Sequence, residues 1–205
     1  MEYSVGQFAG TTDSLSPLSR ILKLGQNEAA HLFSPFIATH CVNVARWHDR
    51  YKSIIDNNEV LYATLLPYPK LKDGELCFIE ATAPRCRWVP LSHYPLKKSL
   101  RKHIVYVGQQ RNLIDEEATN QLLWSYIGKP YQYSIFLSLL GIFSHDPKRE
   151  YCSEITAAML AAQRADPPLP AEWFKTGVSP LQVQVHAEAN GWVLWRCGYD
   201  PEKLF

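Results

Sequence analysis

Apolar and polar positions alternate in short runs through the first half of the chain and settle into helical spacing in the second. Val42 and Val44 alternate with Asn43, and His40 shares their parity, so residues 36–46 are expected to form a buried strand. Residues 75–81 predict a second strand that ends on a carboxylate, that of Glu80. Residues 102–108 predict a third, stopped by Gly108, and residues 87–90 a partner for one of its neighbours. Residues 90–94 read as a turn. Before these strands, residues 1–30 open with polar, Gly- and Ser-containing sequence. A short helix over 17–24 is predicted there, with Ser16 as cap, Pro17 in the first turn and Gly25 as stop.

After residue 108 the pattern turns helical. Asp115, Glu116 and Glu117 make an acidic first turn for a helix that has an apolar back and ends at Gly128. The apolar segment 133–143 predicts another helix, and residues 152–165 a third, which Pro167, Pro168 and Pro170 end. Ser179-Pro180 restarts a helix to about Ala189, capped by Gly191, and residues 192–196 form a last strand. Between the first two strands, residues 47–74 fit no period and carry the unit Leu66-Pro67-Tyr68-Pro69. They are expected to form an irregular arm that roofs a substrate groove. The sum is one α+β domain over residues 1–205, a small antiparallel sheet packed against helices.

Composition narrows the classes. With 205 residues, 46% of them hydrophobic, the chain is long enough to bury a core. Its 21 basic and 20 acidic side chains nearly cancel, which gives neither the basic field of a nucleic-acid binder nor an acidic arm. The longest apolar segment is shorter than the roughly 20 residues of a bilayer span, and no basic-then-apolar signal peptide opens the chain. A cytoplasmic location is the expectation, with a phage-encoded or otherwise delivered enzyme as the alternative. Five cysteines (Cys41, Cys77, Cys86, Cys152 and Cys197) occur without a C-x-x-C pair or other metal-type spacing, so they are expected to be reduced thiols, and no cofactor is expected.

One of these thiols changes the picture. In Tyr151-Cys152-Ser153-Glu154 the cysteine stands at the predicted start of an alanine-rich helix. There it faces unpaired backbone N–H groups and the positive end of the helix dipole, and both favour the reactive thiolate. The bland alternative is a buried structural thiol. A nucleophile needs a base, and His40, held on a strand, is the candidate; His103 is the runner-up, with His93 and His48 behind it. Glu80 closes an apolar strand, where a carboxylate is costly without a partner, and is the candidate to orient the imidazole. Its alternative is a surface carboxylate paired with Arg85 or Arg87. Cys41 adjoins His40 on the opposite strand face and reads as core.

Taken together, Thr39-His40, Ile79-Glu80-Ala81, Gly128-Lys129-Pro130-Tyr131, Tyr151-Cys152-Ser153-Glu154 and Ser179-Pro180, in that order, resemble the permuted NlpC-type papain-like hydrolases (the YiiX-like group). The resemblance covers roughly residues 36–195. It implies a permuted papain-like fold with Cys152 as nucleophile, His40 as base and Glu80 as orienting residue. It also implies thioester chemistry on an amide bond, with a peptidoglycan-type peptide as the commonest substrate. Tyr151 or Tyr131 would line the pocket or add a hydrogen-bond donor. The wider superfamily includes lecithin:retinol acyltransferase relatives, so a lipid acyltransferase or thioesterase is the first alternative; an idle fold acting as a binding or structural module is the second. The run after His40 and the long arm over 47–74 depart from the family pattern.

Overall fold

A computed structural model describes residues 2–13, 38–52, 71–82, 84–94, 102–112, 114–131 and 151–197. The predicted helices over 17–24 and 133–143, and the middle of the 47–74 arm, lie outside the described residues. Among the described residues, six strands form one antiparallel sheet: β1 (Phe8–Asp13), β2 (His40–Arg46), β3 (Leu76–Ala81), β4 (Cys86–Pro90), β5 (Lys102–Gly108) and β6 (Val193–Arg196). Their order across the sheet is β4-β3-β2-β1-β5-β6. The helices are α1 (Glu116–Ser125), α2 (Cys152–Ala162), the single turn α3 (Trp173–Thr176) and α4 (Pro180–Ala189). The α+β class follows directly, and among the described residues no helix is long and apolar enough to cross a membrane.

The helices begin and end where their local chemistry dictates. Asp115 caps α1 by accepting from the Ala118 N–H at 3.0 Å, so it stands just outside the helix whose first turn it was expected to join. Ser179 and Gln182 form a reciprocal capping box at the start of α4, with Pro180 in the first helical position. The helix carrying Cys152 stops at Ala162, three residues before its expected end. Arg164 turns into the left-handed region at φ 52°, and its N–H and that of Ala165 bond back to the Ala161 and Leu160 carbonyls. This Schellman closure satisfies the last carbonyls before the prolines are reached.

Strand parity divides the core. Cys41 and Ala45 of β2, with Cys77, Ile79 and Ala81 of β3, face the helices and pack with Cys152, Ile155 and Met159 of α2 and with Leu123 and Trp124 of α1. Val42, Val44, Phe78, Val89, Ile104 and Val107 form a second cluster on the other face.

Strand β1 corrects the reading of the N-terminal segment. It lies mid-sheet, paired with β2 and β5, although its sequence offers only Phe8 and Ala9 before Gly10-Thr11-Thr12. Gly10 sits opposite both Cys41 and Tyr106, and a Cβ there would overlap the Tyr106 ring. The glycine lets that ring lie across the strand, a tertiary requirement that reads as a loop signal in one dimension.

The ends of the 47–74 arm also have a place. Asp49–Tyr51 form a 3-10 turn, and Tyr51 stacks on Trp124 with ring centroids 5.1 Å apart. Arg46 exchanges hydrogen bonds with Asn120 at 2.7 and 2.8 Å. The arm joins the end of β2 to the start of β3, so both its roots leave the sheet at the end opposite His40 and Glu80.

Candidate active site

Antiparallel pairing brings the start of β2, the end of β3 and the start of β4 to one end of the sheet. His40 is the first residue of β2. Glu80, near the end of β3, pairs directly with Arg87 across the β3–β4 hairpin. The start of α2 is brought to the same place. Tyr151, just before the helix, is buried with its hydroxyl against Gly177, where φ is 85° and a Cβ would overlap the oxygen. Ser153 donates to the Val178 carbonyl, and Glu154 accepts from the Tyr151 N–H at 3.2 Å. These contacts fix the backbone on both sides of Cys152.

Cys152, His40 and Glu80 form a continuous chain. His40 Nε2 stands 2.7 Å from Glu80 Oε2, which leaves Nδ1 as the nitrogen that hydrogen-bonds Cys152. The thiol is 3% exposed and the carboxylate fully buried, while the imidazole side chain keeps 20% of its surface. Backbone N–H groups of Cys41 and Ser153 also point at the sulfur. Burial disfavours a thiolate, but the charge and hydrogen bond of His40 and these two N–H groups outweigh it, and the Cys152 pKa falls below its ordinary value. Burial likewise opposes an imidazolium. The charge and hydrogen bond of Cys152, then those of Glu80, push His40 up to about 10. Between these limits the pair is thiolate and imidazolium.

Glu80 is saturated. Arg87 Nε donates to Oε1 at 2.8 Å and the Tyr94 hydroxyl to Oε2 at 2.6 Å, beside the His40 contact. Burial alone would raise this carboxyl; its hydrogen bond with and the charge of His40, the charge of Arg87 and the Tyr94 hydrogen bond hold it well below the usual carboxylate range. Glu80 thus meets both His40 and Arg87, but in the interior and not as the surface carboxylate of the alternative reading. Arg85 instead donates to the Gly128 carbonyl at 2.8 Å.

The remaining candidates lie elsewhere in the arrangement. Tyr151 is 1% exposed and anchors the helix start from within, so it presents no face to a groove. Tyr131 is half-buried and bonds through its N–H to the Pro84 carbonyl at 2.9 Å, beside an isolated bridge between Arg85 and Pro130. The runner-up base His103 is buried on β5, opposite Thr12. His48 pairs with Asp73 at 3.3 Å, at the far end of the sheet. Cys41 lies in the helix-side core, as its parity indicated, yet its backbone N–H points at the Cys152 sulfur. Tyr94 falls in a predicted turn with no role expected for it, and Arg87 is expected only as an alternative partner of Glu80. Hairpin register supplies the missing signal, because the Glu80–Arg87 pairing follows once Ala81 is set against Cys86.

Among the described residues, no group of three or more His, Cys, Asp or Glu side chains is arranged to hold a metal ion. Comparison of the chain with protein-family models, with curated proteins and with solved structures gives no match. The functional reading therefore rests on this geometry.

Proposed function

We propose that the protein is a cysteine hydrolase that cleaves an amide bond through a thioester acyl-enzyme. The observation that carries this reading is the buried chain from the Cys152 sulfur through His40 to Glu80, with the 2.7 Å contact that fixes the outer ring nitrogen. Cys152 attacks the substrate carbonyl and forms the C–S bond. The amine departs with a proton from His40, and water activated by the same imidazole then hydrolyses the thioester. Glu80 stabilises the imidazolium and holds its tautomer. The Cys152 N–H at the start of α2 supplies an oxyanion donor.

The permuted papain-like arrangement is part of the proposal. The helix bearing the cysteine follows the strands bearing the histidine and glutamate and starts at the end of the sheet where they stand. A peptidoglycan-type peptide is the first substrate to try, and an acyl-lipid ester tests the acyltransferase alternative.

An electrophilic thiol probe should label the wild-type chain at Cys152 and leave the Cys152→Ala variant unlabelled; equal labelling of both would remove Cys152 as the nucleophile. Turnover of muropeptides should set in below the ordinary thiol pKa and be lost as pH rises through about 10, where His40 gives up the proton the leaving amine needs. Turnover of acyl-lipid esters alone would move the enzyme to the lipid class.

A further inference from the structure

The three donors on Glu80 do different work. His40 and Tyr94 share Oε2, whereas Arg87 holds Oε1 alone. The second cation therefore does not compete with the imidazole for one oxygen, and the phenol leaves the imidazole a single direction of approach. We propose that Arg87 and Tyr94 are positioning residues of the reaction, and that the Arg87 charge is what allows a buried thiolate, imidazolium and carboxylate to coexist. This rests on the reading of Cys152 as the nucleophile.

The charges alternate along the chain: Cys152 negative, His40 positive, Glu80 negative, Arg87 positive. The set is neutral as a whole. Without Arg87 it carries a net negative charge in a site where Glu80 is fully buried and Cys152 nearly so. An uncompensated buried charge is relieved by taking up a proton. Both titrations that bound the active pair then move to higher pH, because a nearby positive charge has been withdrawn from each. Among the described residues, the groups that face the pair are Cys41 from β2, Glu80 from β3, Arg87 from β4, Tyr94 after the Leu91–His93 turn, Tyr106 from β5 and Tyr151 before α2. Burial raises the Cys41, Tyr94, Tyr106 and Tyr151 groups, which keeps them protonated and neutral. Among the described residues, Arg87 is thus the counter-charge beyond the triad. It is placed by its register opposite Glu80, with its side chain 16% exposed.

The test needs no substrate. The rate of Cys152 alkylation by iodoacetamide, followed by mass spectrometry of the Cys152 peptide in the full chain, is measured as a function of pH. Wild type should show two rising inflections, one below the ordinary thiol value and one at about 10, where His40 deprotonates. Arg87→Met should move both upward by about one pH unit. Tyr94→Phe should move them the same way by less, about half a unit, and Arg87→Lys should restore most of the wild-type profile. Inflections that stay in place in Arg87→Met and Tyr94→Phe, with only the melting temperature lowered, would reduce both residues to structural supports and overturn the proposal. Should Arg87→Met fail to fold, Tyr94→Phe decides alone: a profile superimposed on wild type overturns the proposal, and an upward shift sustains it. A wild-type profile with no inflection below the ordinary thiol value would instead strike the nucleophile reading itself.

Discussion

Glu80 on β3 and Asn43 on β2 are both fully buried polar side chains on neighbouring strands, and the fold treats them oppositely. Glu80 accepts from an imidazole, a guanidinium and a phenol. Asn43, facing the helices, accepts one hydrogen bond from the Thr156 hydroxyl at 2.9 Å, and its Nδ2 has no partner among the described residues. A buried carboxylate without donors would neutralise itself, whereas a buried amide keeps the same form and loses on the order of 1–3 kcal/mol. The interior is saturated where it holds a charge, and left incomplete one turn further along α2, where it holds a neutral amide.

Glu80→Gln should produce the largest change. It leaves Arg87 and the His40 imidazolium beside a neutral amide, and breaking such a buried pair costs about 3–5 kcal/mol. Urea denaturation measures this, and a variant as stable as wild type would erase the contrast with Asn43. His40→Ala comes next. Without the imidazolium the thiol titrates nearer its ordinary value, so iodoacetamide labelling of Cys152 at neutral pH should fall by roughly 10- to 100-fold. Unchanged labelling would mean that backbone N–H groups alone hold the thiolate. Gly10→Ala tests the strand that the sequence concealed. Its methyl group meets the Tyr106 ring, and overpacking of this kind costs about 1–3 kcal/mol in a thermal melt; a neutral result would mean that the ring moves freely. The smallest effect belongs to Asn43→Leu, which removes the unmatched amide while keeping its bulk. Stability should stay within about 1 kcal/mol of wild type, with the alkylation profile unchanged. A loss comparable to that of Glu80→Gln would show that the fold depends on this amide no less than on the carboxylate.

Much of the candidate site could be read along the chain because its pieces obey local rules. Lys102–Gly108 alternates and stops at a glycine, Ser179-Pro180 announces a helix, and a cysteine after Tyr151 opens an alanine-rich one. Glu80 stands out because a carboxylate in an apolar strand is expensive alone, and His40 because a strand among small and apolar neighbours holds an imidazole rigidly. Tyr94 was invisible for the converse reason: a tyrosine near a turn has no cost until a carboxylate is set beside it. Arg87 and Glu80 become neighbours only through hairpin register, and β1 hides because Gly10 and its threonines break the alternation.

The sequence by itself determined the α+β class, most element boundaries and the identity of the thiol, imidazole and carboxylate. Each of these is set by backbone propensity, by capping, or by the solvation cost of a single side chain. Only the tertiary structure decided that β1 runs between β2 and β5, that the 47–74 arm is rooted away from His40, and that Glu80 is shared by Arg87 and Tyr94. Those outcomes depend on which strands pair, in which register, and on which side chains then compete for the same oxygen. Such contacts join residues distant in the chain and leave no periodicity within it.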